Sequence, residues 1–373
     1  MSTLFWWTIC CCLSFYSPVF GTMIPRNSSS ISDADMARAA VDAMMDLYDS
    51  STGLWDPNNT GSSWWQSGVA LWALSEYMLK SGSQDYLDQA ENTVDIQRAP
   101  LSWWPEGGGD FRADSTDDTG WWALAMTSLY ELTGNNEYLT IAKEDEAYMF
   151  DYWNTTTCGG GLIWNIPNGT YHNAISNELY LELTAKLHNL IPGDTLYLNH
   201  SLMEWEWFNN SGMINSQNLV NDGLTDNTAC VNNGATTWSY NQGVILGGLV
   251  ELNKATGDST YLDTARAIAD AAINSATIVQ GGIVTEPCSS EEECEPNGTA
   301  FKGIFIRELG KLDAALDDHP YQSFIADNAQ TAYENARNGS DFYGFLWQGP
   351  YDSVTIGTQE AAVDLLVAAA YSG

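Results

Sequence analysis

The stretch TGDSTYLDTARAIADAAI, Thr256 to Ile273, is a turn followed by a helix. Thr-Gly-Asp-Ser is turn chemistry. Beyond Tyr261 the apolar residues Leu262, Ala265, Ala269, Ala272 and Ile273 fall on one stripe, so this helix buries one face. The turn and its Tyr-Leu mark return in SGSQDYLDQA, TGNNEYLTIA and IPGDTLYLNHS, and more weakly in DDHPYQSFIA. Their tyrosines, Tyr86, Tyr138, Tyr197, Tyr261 and Tyr321, are spaced roughly 50–65 residues apart, room for two helices and a loop. The segment before each turn is of another kind. In SGVALWALSEYMLK, Ser67 to Lys80, apolar residues go nearly all round, as on a helix buried on most sides. Alternating buried and one-faced helices predict stacked helical hairpins. Closed into a ring, they form an all-α (α/α)6 barrel. The helices carrying Trp72, Leu124 and Leu246 would be inside, and those starting at Leu87, Leu139 and Leu262 outside. An open solenoid is the alternative, but its repeats are shorter and its loops less varied. ATIVQGGIVTE, Ala276 to Glu286, predicts a small β-hairpin around Gly281 and Gly282. No linker-like stretch interrupts the repeats, so residues 22–373 are expected to be one domain.

The chain has 13 Lys and Arg against 48 Asp and Glu, a formal net charge of −35. Such a surface repels nucleic acid and anionic membrane, and leaves neutral polymers as partners. With 16 Trp, 18 Tyr and 11 Phe, the chain is rich in side chains that stack on sugar rings. The uncharged run Leu4 to Phe20, followed by small residues and Pro, reads as a signal peptide over residues 1–21 and implies secretion, although no basic residue precedes Arg26. The closing TQEAAVDLLVAAAYSG reads as one more packed helix rather than a lipid-anchor signal. Eight N-x-S/T acceptors occur, at Asn27, Asn58, Asn154, Asn168, Asn199, Asn209, Asn297 and Asn338. Beyond Cys10, Cys11 and Cys12, four cysteines remain, which allow three connectivities. Cys288 and Cys294 bound a short polar loop and are expected to pair, leaving Cys158 with Cys230; free buried thiols are the alternative.

The chemistry concentrates in DSTDDTGWWALAM, Asp114 to Met126. The adjacent carboxylates Asp117 and Asp118 stand against Trp121 and Trp122. Like charges side by side, desolvated by aromatic rings, resist ionising together. One would then serve as acid and the other as base or nucleophile, which is glycosidase chemistry. Neighbours on a helix do not face each other. Thr119-Gly120 is therefore expected to break the helix and leave the pair just ahead of it. The chain lacks G-x-S-x-G, a P-loop and G-x-G-x-x-G. Its four His are scattered, and Asp110, Asp114, Asp117 and Asp118 lack the order of a calcium loop. No cofactor or metal is expected. Trp64, Trp65, Trp103, Trp104, Trp121 and Trp122 are candidate stacking platforms, with about half expected in the core. Asn177, Tyr240, Asn241, Gln242, Lys302 and Arg307 begin buried helices, where they could bond sugar hydroxyls or cap and join helices.

DDTGWWALA, from Asp117, together with WWQSGVALWAL, CGGGLIW, NAISNELYLELTAKL, WSYNQGVILGGL and FKGIFIREL, resembles glycoside hydrolase family 76, the endo-α-1,6-mannanases. The resemblance covers nearly the whole mature chain. It implies an (α/α)6 barrel, retaining cleavage of internal α-1,6-mannosidic bonds, no metal, Asp117 as nucleophile and Asp118 as general acid/base. Gln66 stands where the resemblance leads one to expect Glu, which puts a sugar contact there in doubt. The expected partner is α-1,6-mannan and the expected state a secreted monomer. A wall transglycosidase and a non-catalytic mannan-binding barrel are the rival readings. Retention of both aspartates argues against the second.

Overall fold

The computed structural model describes residues 31–56, 63–288 and 291–371. The expected signal peptide and the acceptors Asn27 and Asn58 lie outside them. Helices α1 (Asp33–Met45), α2 (Ser63–Ser81), α3 (Leu87–Gln97), α4 (Thr116–Thr133), α5 (Asn136–Phe150), α6 (Ala174–Leu190) and α7 (Leu196–Ser211) come first. They are followed by α8 (Ser239–Thr256), α9 (Thr260–Ile273), α10 (Glu291–Gly298), α11 (Phe301–Ala315), α12 (Gln322–Asn335) and α13 (Ile356–Tyr371). Strands β1 (Tyr48–Asp49) and β2 (Leu54–Trp55) pair antiparallel, as do β3 (Val279–Gln280) and β4 (Ile283–Val284). The second pair is the expected hairpin. Gly281 and Gly282 both take positive φ, at 61° and 86°, which a two-residue turn of this hand requires.

The nearly all-apolar helices α2, α4, α6, α8, α11 and α13 contact one another in sequence, and α13 returns to α2. The inner ring is thus closed, and the open solenoid is excluded. Each is buried on most of its residues, while α3, α5 and α9 bury one face. Helices α1, α5, α7 and α9 pack outside α13, α4, α6 and α8 respectively, so the first helix meets the last. The helices carrying Trp72, Leu124 and Leu246 are inside, and those starting at Leu87, Leu139 and Leu262 outside.

The repeated tyrosines hold the outer helices to one another. Tyr86, entering α3, donates to Asp42 of α1 at 2.5 Å, and Tyr321, entering α12, donates to Asp270 of α9 at 2.9 Å. Tyr261 of α9 meets Trp205 of α7 edge-on at 6.3 Å. The repeat seen in the sequence is this tangential contact.

The inner helices all run the same way. Their first turns surround a cavity of about 340 Å³, and their last turns surround another of about 320 Å³. The second holds Lys80, Lys186, Lys254 and Lys311, where the C-terminal ends of the inner helices gather partial negative charge. Carboxylates complete this end. Lys186 pairs with Glu131 at 2.9 Å, Lys254 with Glu251 at 2.7 Å, and Lys311 bridges Glu182 at 2.8 Å and Glu308 at 2.9 Å. Burial would raise the Glu76 carboxyl, but Lys186, Lys80, Lys311 and Arg307 outweigh it and hold it at about 2. Two disulfides form, Cys158–Cys230 and Cys288–Cys294. No described helix is long and apolar enough to cross a membrane.

Candidate active site

The site is built on the first turn of α4. Ser115, extended at φ −129° and ψ 143°, is its N-cap, and Thr116 is already helical. Asp117 and Asp118 are therefore inside the helix, not ahead of it, and Thr119-Gly120 does not break it. Gly120 is small for another reason: a Cβ there would lie 3.0 Å from the Leu179 side chain of α6. The two neighbours diverge around the helix, and both still line the cavity because it lies over the helix end.

A second segment folds over the pair. The Thr116 N–H donates to the Trp164 carbonyl at 3.0 Å, and the Ile166 N–H to the Asp114 carbonyl at 2.9 Å. This pairing carries the Trp164 indole across Asp117, where Nε1 donates to Oδ1 and Oδ2, each at 3.0 Å. The Asp118 N–H donates to Asp117 Oδ1 at 2.9 Å. Burial pushes the Asp117 carboxyl up, and hydrogen bonds from Ser115, the Asp118 amide and Trp164 oppose it, leaving it at about 6. Asp118 is pushed well above its ordinary value by burial first and by the charge of Asp117 second, with Asp114 adding to both. A hydrogen bond from Ser115 opposes this, but Trp164, which holds Asp117, does not reach it. Of the two, Asp118 is the more strongly held in its protonated form.

The opposite wall comes from the loop before α8. The Ala174 N–H donates to the Asp222 carbonyl at 2.7 Å and the Leu224 N–H to the His172 carbonyl at 3.0 Å. A Cβ on Gly223 would stand 2.5 Å from the His172 carbonyl, so only glycine permits the approach. Asp222, Tyr171 and Asn173 thereby line the cavity, with Tyr171 donating to Asp222 at 2.5 Å. Burial raises the Asp222 carboxyl. Trp65, Trp121, Tyr240 and Phe301 supply aromatic surface; Tyr240 and Phe301 stack at 3.8 Å.

The remaining candidates lie elsewhere. Trp122 is buried and stacks on Phe111 at 4.5 Å, Trp64 packs between Trp122 and Trp103, and Trp104 donates to Tyr148. Asn177 is wholly buried, accepting from the Leu162 N–H at 2.7 Å and donating to the Leu162 carbonyl at 3.2 Å. Gln242 holds both polar groups of Val220 in the same way, each at 2.8 Å. Asn241 is also fully buried. Asn177 and Gln242 pin the loops that carry the site, and none of the three lines the cavity. Lys302 is buried over Phe345 at 4.2 Å and Trp347 at 4.9 Å; burial lowers its ammonium to about 7 despite Glu286. Arg307 is paired with Glu308 and Asp364, each at 3.0 Å, and lies over Trp72. Trp64, Trp122, Asn177, Gln242, Lys302 and Arg307, expected to contact sugar, do not line the cavity that holds Asp117 and Asp118. Gln66 is buried too, and donates to the Pro296 carbonyl at 2.8 Å, a bond an ionised Glu could not make. Trp164, Asn165, Tyr171, Asn173, Asp222 and Asn297 are not singled out as cavity residues from sequence; CGGGLIW, ending in Trp164, and NAISNELYLELTAKL, beginning at Asn173, are the available signals.

The profile of glycosyl hydrolase family 76 matches residues 32–372. The chain belongs to glycosyl hydrolase family 76. Among its family 76 relatives, mannan endo-1,6-alpha-mannosidase DCW1 of Candida albicans is 26% identical over 81% of this chain and 72% of that protein. DCW1 of Saccharomyces cerevisiae is 24% identical over 82% and 71%. In fold the chain is similar to an inactive variant of the GH76A alpha-1,6-mannanase of Salegentibacter sp. HEL1_6, changed at two consecutive aspartates and bound to alpha-1,6-mannotetrose. That likeness has a TM-score of 0.80 at 21% identity, over 92% of this chain and all of that one. It is also similar to Dfg5 of Chaetomium thermophilum in complex with glucosamine, at TM-score 0.77 and 20% identity over 91% and 90%.

Proposed function

We propose that this chain is a secreted, retaining endo-α-1,6-mannanase, with residues 1–21 as its signal peptide and the rest as one catalytic domain. One observation carries the reading: two neighbouring carboxyls share an aromatic-walled cavity, and Trp164 grips only one of them. The ionised Asp117 attacks the anomeric carbon, and its charge forms the glycosyl-enzyme bond. The protonated Asp118 gives its proton to the leaving oxygen, then takes one from water as that water cleaves the intermediate. The asymmetry in hydrogen bonding supports the same assignment of roles as the family resemblance. Trp65, Trp121, Tyr240 and Phe301 offer faces to successive mannose rings, and Asp222 with Tyr171 offers acceptors and donors to their hydroxyls. The mannan-directed names of the fungal relatives support the substrate.

The test is incubation with linear α-1,6-mannan and separation of the products. The parent should release oligosaccharides of several lengths, and Asp117→Asn should release none. Asp118→Ala should still take an aryl mannoside with a good leaving group through the first step, and azide should partly rescue the second. Azide rescue of Asp117→Ala with inverted product would exchange the two roles. Near-normal turnover of mannan by both variants would overturn the reading.

A further inference from the structure

Of the acceptors within the described residues, Asn154, Asn168, Asn199, Asn209, Asn297 and Asn338, only Asn297 lines the cavity that holds Asp117 and Asp118. Its side chain is exposed. Its Oδ1 accepts from Trp65 Nε1 at 2.9 Å, while Nδ2 makes no hydrogen bond among the described residues. Trp65 lines the same cavity, so the bond holds the amide at the edge of an aromatic wall. The backbone behind it is pinned, with Gln66 donating to the Pro296 carbonyl at 2.8 Å and the Thr299 hydroxyl donating to it at 2.6 Å. Asn297 is held at one place on the rim.

We propose that Asn297-Gly298-Thr299 accepts an N-linked glycan that caps the catalytic cleft, so that chains carrying it are closed to polymer and chains lacking it are open. The capping role rests on the reading of this cavity as the active site. The modification needs an oligosaccharide carried on a lipid pyrophosphate. Asn297 Nδ2 bonds to C1 of the first sugar, the C1–oxygen bond to pyrophosphate breaks, the lipid pyrophosphate leaves with the electron pair, and the amide loses one proton. Transfer must precede folding. Thr299 is wholly buried in the finished barrel, with its hydroxyl committed to Pro296, so an enzyme that reads the acceptor triplet cannot engage it there. Asn297 also precedes α11 and α13, without which the inner ring is open. Occupancy is therefore set during synthesis and locked by ring closure, giving two populations that do not interconvert. A first sugar on Nδ2 stands at the mouth beside Trp65 and Phe301. A polymer must lie across that mouth, whereas a small aryl glycoside need only reach the floor.

The full chain, made in a glycosylating fungal host, is separated into glycoforms, and the Asn297 peptide is examined by mass spectrometry before and after endoglycosidase trimming. Turnover of α-1,6-mannan and calorimetric binding of α-1,6-mannotetraose are then compared between glycoforms. The occupied form should bind and turn over about tenfold less well, and trimming, which leaves only the first sugar, should recover part of the difference. Asn199→Gln, which removes the acceptor on outer helix α7, should change neither. A chain unmodified at Asn297 in every glycoform overturns the proposal, and so do equal binding and turnover in both forms. If neither form hydrolyses mannan, the enzyme reading fails instead, and calorimetric binding still decides whether the glycan caps the cavity.

Discussion

Asp117 and Asp118 share a helix turn and a cavity but not an environment, and Trp164 is the difference between them. Replacing Trp164 by Phe removes the one N–H that reaches both Asp117 oxygens and keeps an aromatic face. The Asp117 carboxyl then rises above about 6, since burial is less opposed. The acid limb of the kcat/KM profile should move up by about one pH unit, so activity falls on the order of tenfold near pH ~5.5 and little above pH ~7.5. An unshifted limb would mean that Trp164 only packs. Asp117 also sets a stability prediction. Its folded value, about 6, exceeds its ordinary 3.8, so its contribution is complete below 3.8 and lost as pH rises through 6. Asp117→Asn cannot ionise and should be more stable than the parent above pH 6, by about 2 kcal/mol after allowing for partial exposure, and equal to it near pH ~3.5. Thermal melts at the two pH values check this. The aspartate pair, Trp65 and Trp121 were legible because each lies in a short local pattern at the start of an inner helix. Trp164, Tyr171 and Asp222 were not, because they sit in loops without a period and reach the site through backbone pairing. For Asn177 and Gln242 the sequence left both readings open, because a polar residue in the first turn of an inner helix looks the same whether it faces a sugar or clamps a loop, as these two do.

At the scale of elements, the inner and outer helices could be told apart in advance because burial on all sides and on one side leave different hydrophobic patterns. The boundary of α4 could not. Asp-Asp-Thr-Gly reads as a break, whereas Ser115 caps the helix upstream and Gly120 serves the approach to α6. Glycine marks a closer crossing between α11 and α13. A Cβ on Gly303 would lie 2.2 Å from the Ala361 Cα, a backbone atom that cannot turn aside. Gly303→Ala should therefore cost about 3 kcal/mol or more, despite alanine's better helix propensity. Chemical denaturation measures it, and a neutral or stabilising result would mean that the two helices do not meet so closely. The loops are tied as well: Cys158–Cys230 joins the segment before α6 to the segment before α8, and these carry Trp164, Tyr171 and Asp222.

For the whole molecule, a net charge of −35 sets a repulsion that folding concentrates. Raising salt from ~0.01 M to ~0.15 M screens it and should raise the melting temperature by a few degrees, where a neutral protein would hardly respond. A flat response would mean that the unpaired carboxylates stand too far apart in the folded chain to repel one another. The closed ring was legible as a period, but the lysine and carboxylate plug at its far end was not. Lys80, Lys186, Lys254 and Lys311 are far apart in sequence and meet only because parallel helices end together. That shared direction also places the ends of the described chain. Tyr371 lines the cavity opposite the active site, and Arg38 of α1 pairs with Asp85, just beyond the last turn of α2. Both ends therefore sit at the base of the barrel. Coupled to a bead or sensor chip through a residue at the start of α1 or the end of α13, the barrel should stand with its mouth outward, open to polymers too large to diffuse beneath it.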